Sequence, residues 1–575
     1  MMRGGLGSVL AWVCVAAGGC GGDDGAASID ATADGATIDG ATVDGPGSDA
    51  AADASQAHEG MVLPVPDPGC ATPPAVPTLL APWSTSTVTS RTPTLRWRGT
   101  GGGGAHVEVC ADRACTMIQQ QLDTAGTTSS VTLTSPLAPG VHFWRVRAAG
   151  GATFSPVWEL WSGVGSAATA SASGSTLDVN GDGYADLVVG TDGSNGLYLY
   201  LGSRTGYPAA PITVPVPAGA SRFGGAVASA GDVDGDGYGD LVVGASASGT
   251  AYVLLGGAGG LSAAPITLTG PVGSLFGNAV AGAGDLDGDG FADVAVGTVS
   301  GEGLYVYFGN PCGLGTTPIA LPPPGGTPGS FGFGVAGALD VDGDGHGDLA
   351  TTGPGHTVDL YFGGAGGLYE APLVLPPPAS SMTPQHLDYF GNVVARAGDV
   401  DGDGFDDLAV GAAGAGGTDT VYLFRGGAGG PATTPSATLT PPAGSASFGA
   451  ALAGPGDVDG DGHADLAVGT SGSNTVYLFR GGAGGLSTTP VMPATSGAAG
   501  SSFGATLAAA GDVDDDGRAD LGVGAPASST VHVHAGAAAG LGAAFATLAA
   551  PAPARPFSFG YSLACVLARP ADHDG

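Results

Sequence analysis

Short runs that alternate between apolar and polar or aromatic residues return at a regular interval along the last two thirds of this chain. Residues 197–201 (LYLYL), 304–308 (LYVYF) and 476–479 (VYLF) show the period-2 alternation that is typical of β-strands. A short apolar run precedes each of them, as at 241–244 (LVVG), and a Gly-rich turn follows, as at 426–430 (GGAGG). The pattern therefore predicts several short strands per repeat, joined by tight turns.

The length of the repeat indicates the architecture. An acidic motif occurs seven times, and successive copies are separated by 54, 53, 55, 59, 58 and 55 residues. A Phe-Gly pair stands nine residues before six of the copies, at Phe223, Phe276, Phe331, Phe390, Phe448 and Phe503. The Phe-Gly run, the apolar run, the alternating run and a fourth, Pro-bounded run supply four strands, which is one propeller blade. We predict an all-β fold in which residues 177–575 form a β-propeller.

The two ends of the repeated region complement each other. No Phe-Gly pair precedes the first acidic motif, whereas a lone Phe559-Gly560 and an apolar run through Val566 stand near the C-terminus. We expect this last run to complete the first blade, because a sheet built from both ends leaves no free strand edge. The prediction is a closed, seven-bladed ring. The tail 572–575 (DHDG) leaves a partial eighth blade as an alternative.

A smaller β-rich region precedes the repeats at residues 75–162. Alternating runs at 94–97 (TLRW) and 106–110 (HVEVC), followed by 143–148 (FWRVRA) after a Pro-Gly turn, predict a small β-sandwich with a Trp in its core. Residues 163–176 are predicted to link this sandwich to the propeller.

The N-terminus has the features of an exported protein. Residues 1–19 resemble a signal peptide, with Arg3 before a short apolar segment, and the residues up to Cys20 resemble a bacterial lipidation site. Lipidation of Cys20 and ordinary signal cleavage both remain open. Residues 20–74 are rich in Asp, Ala, Gly and Pro and are predicted to form a disordered tether. We expect a protein of the cell surface or outer membrane, or alternatively a secreted one.

Export makes disulfides possible. Cys110 and Cys115 lie five residues apart on a predicted hairpin and are expected to form a local disulfide. Cys70, Cys312 and Cys565 have no partner that the sequence assigns, and the cysteine spacings do not suggest zinc.

Amino-acid composition and charge reduce the range of possible folds and partners. The chain has 110 Gly and 42 Pro but only 11% charged residues, which argues against a helical protein. The formal net charge is −36, and all 15 basic side chains counted as Lys or Arg are Arg. Nucleic acid and anionic membrane surfaces are therefore excluded as expected partners, and a membrane would be reached only through lipid on Cys20.

Many of the acidic residues lie in the seven repeated motifs, which read Asp-x-Asp/Asn-x-Asp-Gly-x-x-Asp. These motifs are called Asp loops 1 to 7 in chain order. The candidate metal ligands are the side chains at positions 1, 3, 5 and 9 of each loop. In chain order they are Asp178, Asn180, Asp182 and Asp186; Asp232, Asp234, Asp236 and Asp240; Asp285, Asp287, Asp289 and Asp293; Asp340, Asp342, Asp344 and Asp348; Asp399, Asp401, Asp403 and Asp407; Asp457, Asp459, Asp461 and Asp465; and Asp512, Asp514, Asp516 and Asp520.

Calcium is the cation that this pattern predicts. Ca²⁺ takes six to eight oxygen ligands in flexible geometry, and Mg²⁺ usually keeps several waters and takes fewer carboxylates. The Gly at position 6 permits a sharp turn, and the backbone carbonyl of position 7 is a further ligand candidate. An EF-hand is excluded because position 12 is a Val or Thr where that motif needs a bidentate Glu. We expect about seven calcium ions, one per blade.

Together, the Phe-Gly pairs, the Asp loops before apolar strands and a literal Gly524-Ala525-Pro526 resemble the FG-GAP repeat of integrin α-subunits. The resemblance implies a seven-bladed propeller with its calcium loops on one face and its ligands on the other. The preceding domain resembles a fibronectin type III domain. The expected fold is therefore a propeller of FG-GAP repeats preceded by a small fibronectin type III-like β-sandwich.

The expected function is non-catalytic binding or adhesion at the cell surface, with an unidentified protein or glycan as partner. A calcium-dependent carbohydrate-active enzyme, a lyase or glycosidase, is the alternative, since such enzymes also use propellers. It would need paired carboxylates in a cleft, whereas nearly all propeller acids belong to the Asp loops. A purely structural surface protein is a third possibility. We predict that the protein is not an enzyme.

Overall fold

The computed structural model describes residues 61–66, 76–164, 172–173, 177–551 and 559–564, apart from short internal gaps. The gaps are 83, 85, 89, 101–102, 192, 194, 300–302, 327–328, 379–389, 414–418, 471, 492–493, 496–499 and 515. The predicted signal peptide, Cys20, most of the predicted tether and the tail 572–575 lie outside the described residues. In the described part of the chain, no helix is long and apolar enough to cross a membrane.

The described secondary structure consists of short strands and three 3-10 turns, in agreement with the predicted all-β class. The strands before the repeats are β1 (Val62–Pro64), β2 (Thr78–Ala81), β3 (Ser86–Val88), β4 (Thr94–Arg98), β5 (Ala105–Cys110), β6 (Ile118–Asp123), β7 (Ser130–Thr132), β8 (Gly140–Ala148), β9 (Trp158–Ser162) and β10 (Ala172–Ser173). The 3-10 turns are Ser246–Ser248, Pro324–Gly326 and Pro526–Ser528.

The strands of the repeated region follow. They are β11 (Leu187–Thr191), β12 (Gly196–Tyr200), β13 (Ile212–Thr213), β14 (Phe223–Gly231), β15 (Asp240–Ala245), β16 (Thr250–Leu254), β17 (Ile266–Thr269), β18 (Ala279–Gly284), β19 (Asp293–Gly297), β20 (Leu304–Tyr307), β21 (Gly309–Asn310), β22 (Gly313–Leu314), β23 (Ile319–Leu321), β24 (Val335–Leu339), β25 (Asp348–Gly353), β26 (Thr357–Tyr361), β27 (Gly367–Tyr369), β28 (Leu373–Leu375), β29 (Val393–Gly398), β30 (Asp407–Ala412), β31 (Thr420–Phe424), β32 (Ala437–Leu439), β33 (Phe448–Gly456), β34 (Asp465–Thr470), β35 (Thr475–Phe479), β36 (Ala494–Thr495), β37 (Thr506–Gly511), β38 (Asp520–Ala525), β39 (Thr530–His534), β40 (Ala544–Ala549) and β41 (Phe559–Ala564).

These strands form propeller blades. The described residues contain seven four-stranded antiparallel sheets, in the orders β41-β11-β12-β13, β14-β15-β16-β17, β18-β19-β20-β23, β24-β25-β26-β28, β29-β30-β31-β32, β33-β34-β35-β36 and β37-β38-β39-β40. The first strand of each sheet contacts the first strand of the next, and β41 contacts both β14 and β37, so the contacts run round a closed ring.

The C-terminal strand completes the first sheet, as the two ends of the repeated region predicted. Strand β41 pairs antiparallel with β11, with Val188 opposite Ala564 and Val189 opposite Leu563. The first sheet is therefore built from both ends of the repeated region. This pairing covers an edge of β11 that would otherwise be open to association.

The Phe-Gly pairs fill the space between neighbouring sheets. Phe276 is fully buried, and its ring lies 5.5 Å from that of Tyr305, centroid to centroid. Gly277 has φ +84°, and its carbonyl oxygen lies so close to Gly244 of the preceding sheet that a Cβ on Gly244 would collide with it. Glycine at these two positions lets successive sheets approach each other closely.

The region before the repeats forms a sandwich. Its two sheets have the strand orders β10-β3-β9-β8-β5-β6 and β2-β4-β7. Trp97, Trp144 and Trp158 are buried in its core. The predicted disulfide between Cys110 and Cys115 is present.

Two features differ from the sequence-based expectations. Val62–Pro64, inside the predicted disordered tether, forms β1 and pairs with Gly367–Tyr369, so the tether prediction is wrong for these residues. The reason is local composition, because residues 61–65 (MVLPV) are apolar, and Leu63 and Val65 pack against the propeller core. Cys312, which had no assigned partner, is disulfide-bonded.

Candidate metal centres

In sheets 2 to 7, counted in chain order, each Asp loop joins the first strand to the second, and loop 1 leads into β11, the second strand of the first sheet. In sheets 2 to 7, the position-9 aspartate is the first residue of the second strand, as Asp240 is in β15, and Asp186 directly precedes β11. All seven loops therefore occupy the same place in their sheets. All 28 predicted ligand residues lie within the described part of the chain.

The position-1 aspartate holds each loop in a tight turn. In loop 2, Asp232 Oδ2 accepts a hydrogen bond from the Gly237 backbone N–H at 2.8 Å. Gly237 has φ +91°, a left-handed conformation that favours glycine. In loop 6, Asp457 accepts the equivalent bond from Gly462 at 2.8 Å. The glycine at position 6 is thus required by the backbone.

The side chains at positions 1, 3 and 5 converge. In at least four loops, one carboxylate oxygen from each of these positions lies within 4.8 Å of the other two. These trios are Asp232, Asp234 and Asp236; Asp285, Asp287 and Asp289; Asp340, Asp342 and Asp344; and Asp399, Asp401 and Asp403. Asp232 Oδ1 and Asp340 Oδ1 are buried and accept no hydrogen bond. Buried carboxylate oxygens without a partner are costly, so the residues fit a bound cation.

The position-9 aspartate has a different role from the other three. Asp407 is fully buried, and its Oδ2 accepts a hydrogen bond from the Val400 N–H at 3.0 Å. Its Oδ1 accepts another from the Gly426 N–H, beyond the third strand, at 2.9 Å. The same two bonds occur in all seven loops, with the N–H of position 2 and of a later glycine. This residue ties the loop to its own blade.

Neighbouring loops are also joined through the backbone. The position-1 carbonyl oxygen accepts a hydrogen bond from the position-8 N–H of the next loop, as Asp232 does from Ala292 at 2.9 Å. The equivalent bond links each of loops 1 to 6 to its successor. The Asp loops therefore form a connected belt on one face of the ring.

Electrostatics in these loops favours a bound cation. Burial, together with the charges of Asp287 and Asp285, raises the pKa of Asp289 to about 8. Burial and the Asp287 charge likewise raise the pKa of Asp285 to about 7. In loop 2, burial and the charge of Asp236 raise the pKa of Asp234 to about 6. Arg98 lowers the pKa of Asp289 and His346 lowers that of Asp285, but neither outweighs burial and the neighbouring carboxylates, so both groups resist ionisation without a cation.

In loop 7, Arg518 at position 7 lies 3.1 Å, Nη1 to Oδ2, from the predicted ligand Asp516. Two other loops receive an arginine from outside the loop. Arg425 forms an ion pair with Asp401 at position 3 of loop 5, and Arg480 Nε lies 3.0 Å from Asp459 Oδ2 at position 3 of loop 6. Both arginines directly follow the third strand of their sheet. The nine-residue Asp motif does not predict these ion pairs. The only sequence signal is an Arg at the end of the alternating run.

The sandwich contacts the Asp loops, which sequence reasoning did not predict. A Cβ on the position-6 glycine of five loops would meet or collide with sandwich or linker atoms. The contacts are Gly183 with Val141 and Phe143, Gly237 with Val157, Gly290 with Thr78 and Leu79, Gly345 with Arg96, and Gly517 with Pro139 and Val164. The N–H of Val164 also donates to the Gly517 carbonyl oxygen at 2.9 Å. The sandwich therefore lies over the face that carries the Asp loops.

Comparison with known proteins agrees with the repeat. The family model for the FG-GAP-like repeat matches residues 178–243, 232–296, 285–351, 340–410 and 457–523, which is more than half of the chain. Integrin alpha-PS5 of Drosophila melanogaster is 34% identical over 153 residues, covering 23% of this chain and 15% of that protein. Human integrin alpha-IIb is 40% identical over 163 residues, covering 26% of this chain and 16% of that protein.

The chain thus spans only about a sixth of the length of these relatives. Among solved structures, a protein from Lactobacillus plantarum is similar with a TM-score of 0.40 and 14% identity, covering 66% of this chain and 98% of that one. The extent of the repeat match shows that the chain belongs to the family of FG-GAP-like repeat proteins.

Proposed function

We propose that this protein binds calcium in its Asp loops and acts as a non-catalytic binding or adhesion module at the cell surface. The observation that carries the proposal is the convergence of buried carboxylates at positions 1, 3 and 5, with oxygens of Asp232 and Asp340 left without a hydrogen-bond partner. Calcium, when bound, supplies the positive charge that these oxygens lack.

The donor set favours calcium over other cations. Each loop offers oxygen donors alone, and hard divalent cations prefer oxygen. Three carboxylates on one short loop suit the larger, flexible coordination of Ca²⁺ better than the octahedral, water-rich coordination of Mg²⁺. We expect dissociation constants on the order of 10⁻⁴ to 10⁻³ M, as in extracellular modules.

A binding role agrees with where the acidic residues lie. The Asp loops are held by backbone hydrogen bonds, and five of them meet the sandwich or its linker at the position-6 glycine, so their carboxylates are poorly placed to act on a substrate. The opposite face of the ring is the face on which a protein or glycan partner would bind. Export, with a lipid on Cys20 or as a secreted protein, would present that face outside the cell.

Calcium removal tests the proposal directly. We expect metal analysis of the purified protein to find calcium, and EGTA to lower the melting temperature, because only the folded loops present the ligands. At calcium tenfold above the dissociation constant, each site stabilises the fold by about 1.4 kcal/mol. Replacing Asp232, Asp234 and Asp236 together by Asn should remove one ion, and Asp123→Asn, an exposed sandwich change, serves as control.

An unchanged melting curve in EGTA, with no calcium by elemental analysis, would refute calcium binding. The binding role needs a separate screen on a glycan array and by pull-down of surface proteins. Capture of a partner without turnover supports the proposal. Cleavage of a captured glycan would instead support the carbohydrate-active alternative.

A further inference from the structure

Asp loop 1 differs chemically from the other six. Its position 3 is Asn180, where every other loop has Asp. The Asn180 amide donates a hydrogen bond to Asp182 Oδ2 at 2.9 Å, so this side chain partly serves to hold a neighbouring carboxylate. Calcium affinity depends on the number of charged ligands. Loop 1 on its own therefore offers one carboxylate fewer than any of the other six loops.

A carboxylate from the sandwich stands beside this loop. Glu159, in strand β9, is fully buried, and its carboxyl group is within hydrogen-bonding reach of Asp178, the position-1 residue of loop 1. Glu159 Oε1 accepts a hydrogen bond from Trp161 Nε1 at 2.7 Å, which fixes the orientation of the side chain. Glu159 Oε2 is buried and accepts no hydrogen bond.

The basic group nearby does not satisfy this oxygen. Arg113 Nη1 lies 3.8 Å from Glu159 Oε2, beyond hydrogen-bond distance, and neither terminal nitrogen of Arg113 makes a hydrogen bond. The Arg113 guanidinium instead stacks over the ring of Tyr238, 4.0 Å from its centroid. Two adjacent buried carboxylates with one loosely placed arginine leave a negative site without full compensation.

The backbone around loop 1 fixes the distance between the two domains. A Cβ on Gly181 would lie 2.6 Å from the Tyr238 ring and 2.8 Å from Arg113. One on Gly183 would touch Val141 and Phe143 of strand β8 at 3.5 and 3.6 Å. Because loop 1 and the sandwich meet without a gap, the position of Glu159 relative to Asp178 is set by packing.

We propose that Glu159 is a ligand of the metal ion in Asp loop 1, replacing the carboxylate that Asn180 lacks, so that this ion joins the sandwich to the propeller. The proposal rests on the proposed calcium binding. It assigns to one residue of the sandwich a role that the repeat motif does not contain.

Calcium titration of the full-length protein tests this assignment. Glu159→Gln keeps the size of the side chain, can still accept from Trp161 and can donate its amide hydrogen to Asp178. We expect it to weaken one site at least about tenfold and to leave the others unchanged. The double variant Glu159→Gln with Asn180→Asp should recover the site, because the carboxylate returns at position 3. Glu108→Gln, which alters a sandwich glutamate paired with Arg145, is the matched control and should leave the calcium titration unchanged.

Melting curves with and without calcium distinguish a ligand from a structural residue. As a ligand, Glu159→Gln should leave the metal-free melting temperature unchanged or higher and should reduce the gain from calcium. A variant that loses equal stability in both conditions, or that keeps wild-type calcium titration, overturns the proposal and leaves Glu159 as an interdomain partner of Arg113. Absence of calcium binding in the wild type would instead refute the proposed function itself.

Discussion

Ser562 and Gly224 are joined by a hydrogen bond across the whole repeated region, 338 residues apart in sequence. Ser562 Oγ donates to the Gly224 carbonyl oxygen at 2.7 Å, and Gly224 belongs to the first strand of the second sheet. The C-terminal strand is therefore bonded both to the first sheet and to its neighbour. Closure of the ring depends on this short segment.

Ending the chain at residue 556 should destabilise the propeller, because the first sheet loses β41 and β11 gains a free edge. Size-exclusion chromatography should show aggregation, and the melting temperature should fall. Phe559 is fully buried against Tyr198, so Phe559→Ala should cost about 3–5 kcal/mol. A chain ending at residue 566 keeps β41 and is the control. A monomeric, equally stable 556-residue chain would contradict ring closure by this strand.

The position-9 aspartates should stabilise the fold even without metal. Asp407→Asn replaces one of two acceptor oxygens by an NH₂ group that faces a backbone N–H. We expect a loss of about 1–3 kcal/mol in EGTA, measured by denaturant unfolding. Asp403→Asn, at exposed position 5 of the same loop, should cost less in EGTA and should mainly reduce calcium binding. Equal costs for the two variants would argue against a separate structural role.

Arg425 and Arg480 should compete with calcium in loops 5 and 6. Each pairs with the position-3 aspartate, Asp401 or Asp459, which is a predicted ligand. Arg425→Ala and Arg480→Ala should therefore raise the calcium affinity of one loop each, detected by calorimetric titration. Arg147→Ala, which alters an arginine of the sandwich, is the control. Unchanged or weaker calcium binding in both variants would show that the arginines do not compete.

The metal-free protein should lose stability as the pH rises. Burial raises the pKa of Asp407, Asp465 and Asp520 to about 8 in the fold, against about 3.9 in an unfolded chain. The folded state then binds more protons than the unfolded state between these values. The contribution of these three protonated carboxyl groups to the free energy of unfolding is complete below about pH 4. It is lost as the pH rises through about 8.

Melting temperatures of calcium-free protein should accordingly fall from pH 5.5 to 8.5. Saturating calcium should remove or reverse the trend, because the ion binds the deprotonated carboxylates. A calcium-free melting temperature that rises with pH would show that these carboxylates are ionised in the fold without a cation.

Sequence spacing alone determined the repeat, its four strands and the Asp loops. The ligands at positions 1, 3 and 5 and the turn at position 6 lie within one short segment, so their geometry follows from local backbone conformation. The pairing of Phe559–Ala564 with the first sheet was also predictable, because one repeat lacked a strand and the chain end supplied it.

Tertiary packing alone decided the surroundings of the loops. Three contacts show this: Glu159 with Asp178, Arg425 with Asp401, and β1 with β27. The spacing of the repeat does not predict any of them. A lone Glu in a strand, or an Arg at a strand end, has the same local pattern wherever its domain docks. The partner of such a residue depends on how the surfaces of two folded segments pack against each other. That packing results from many weak contacts summed over the interface and not from any one spacing in the sequence.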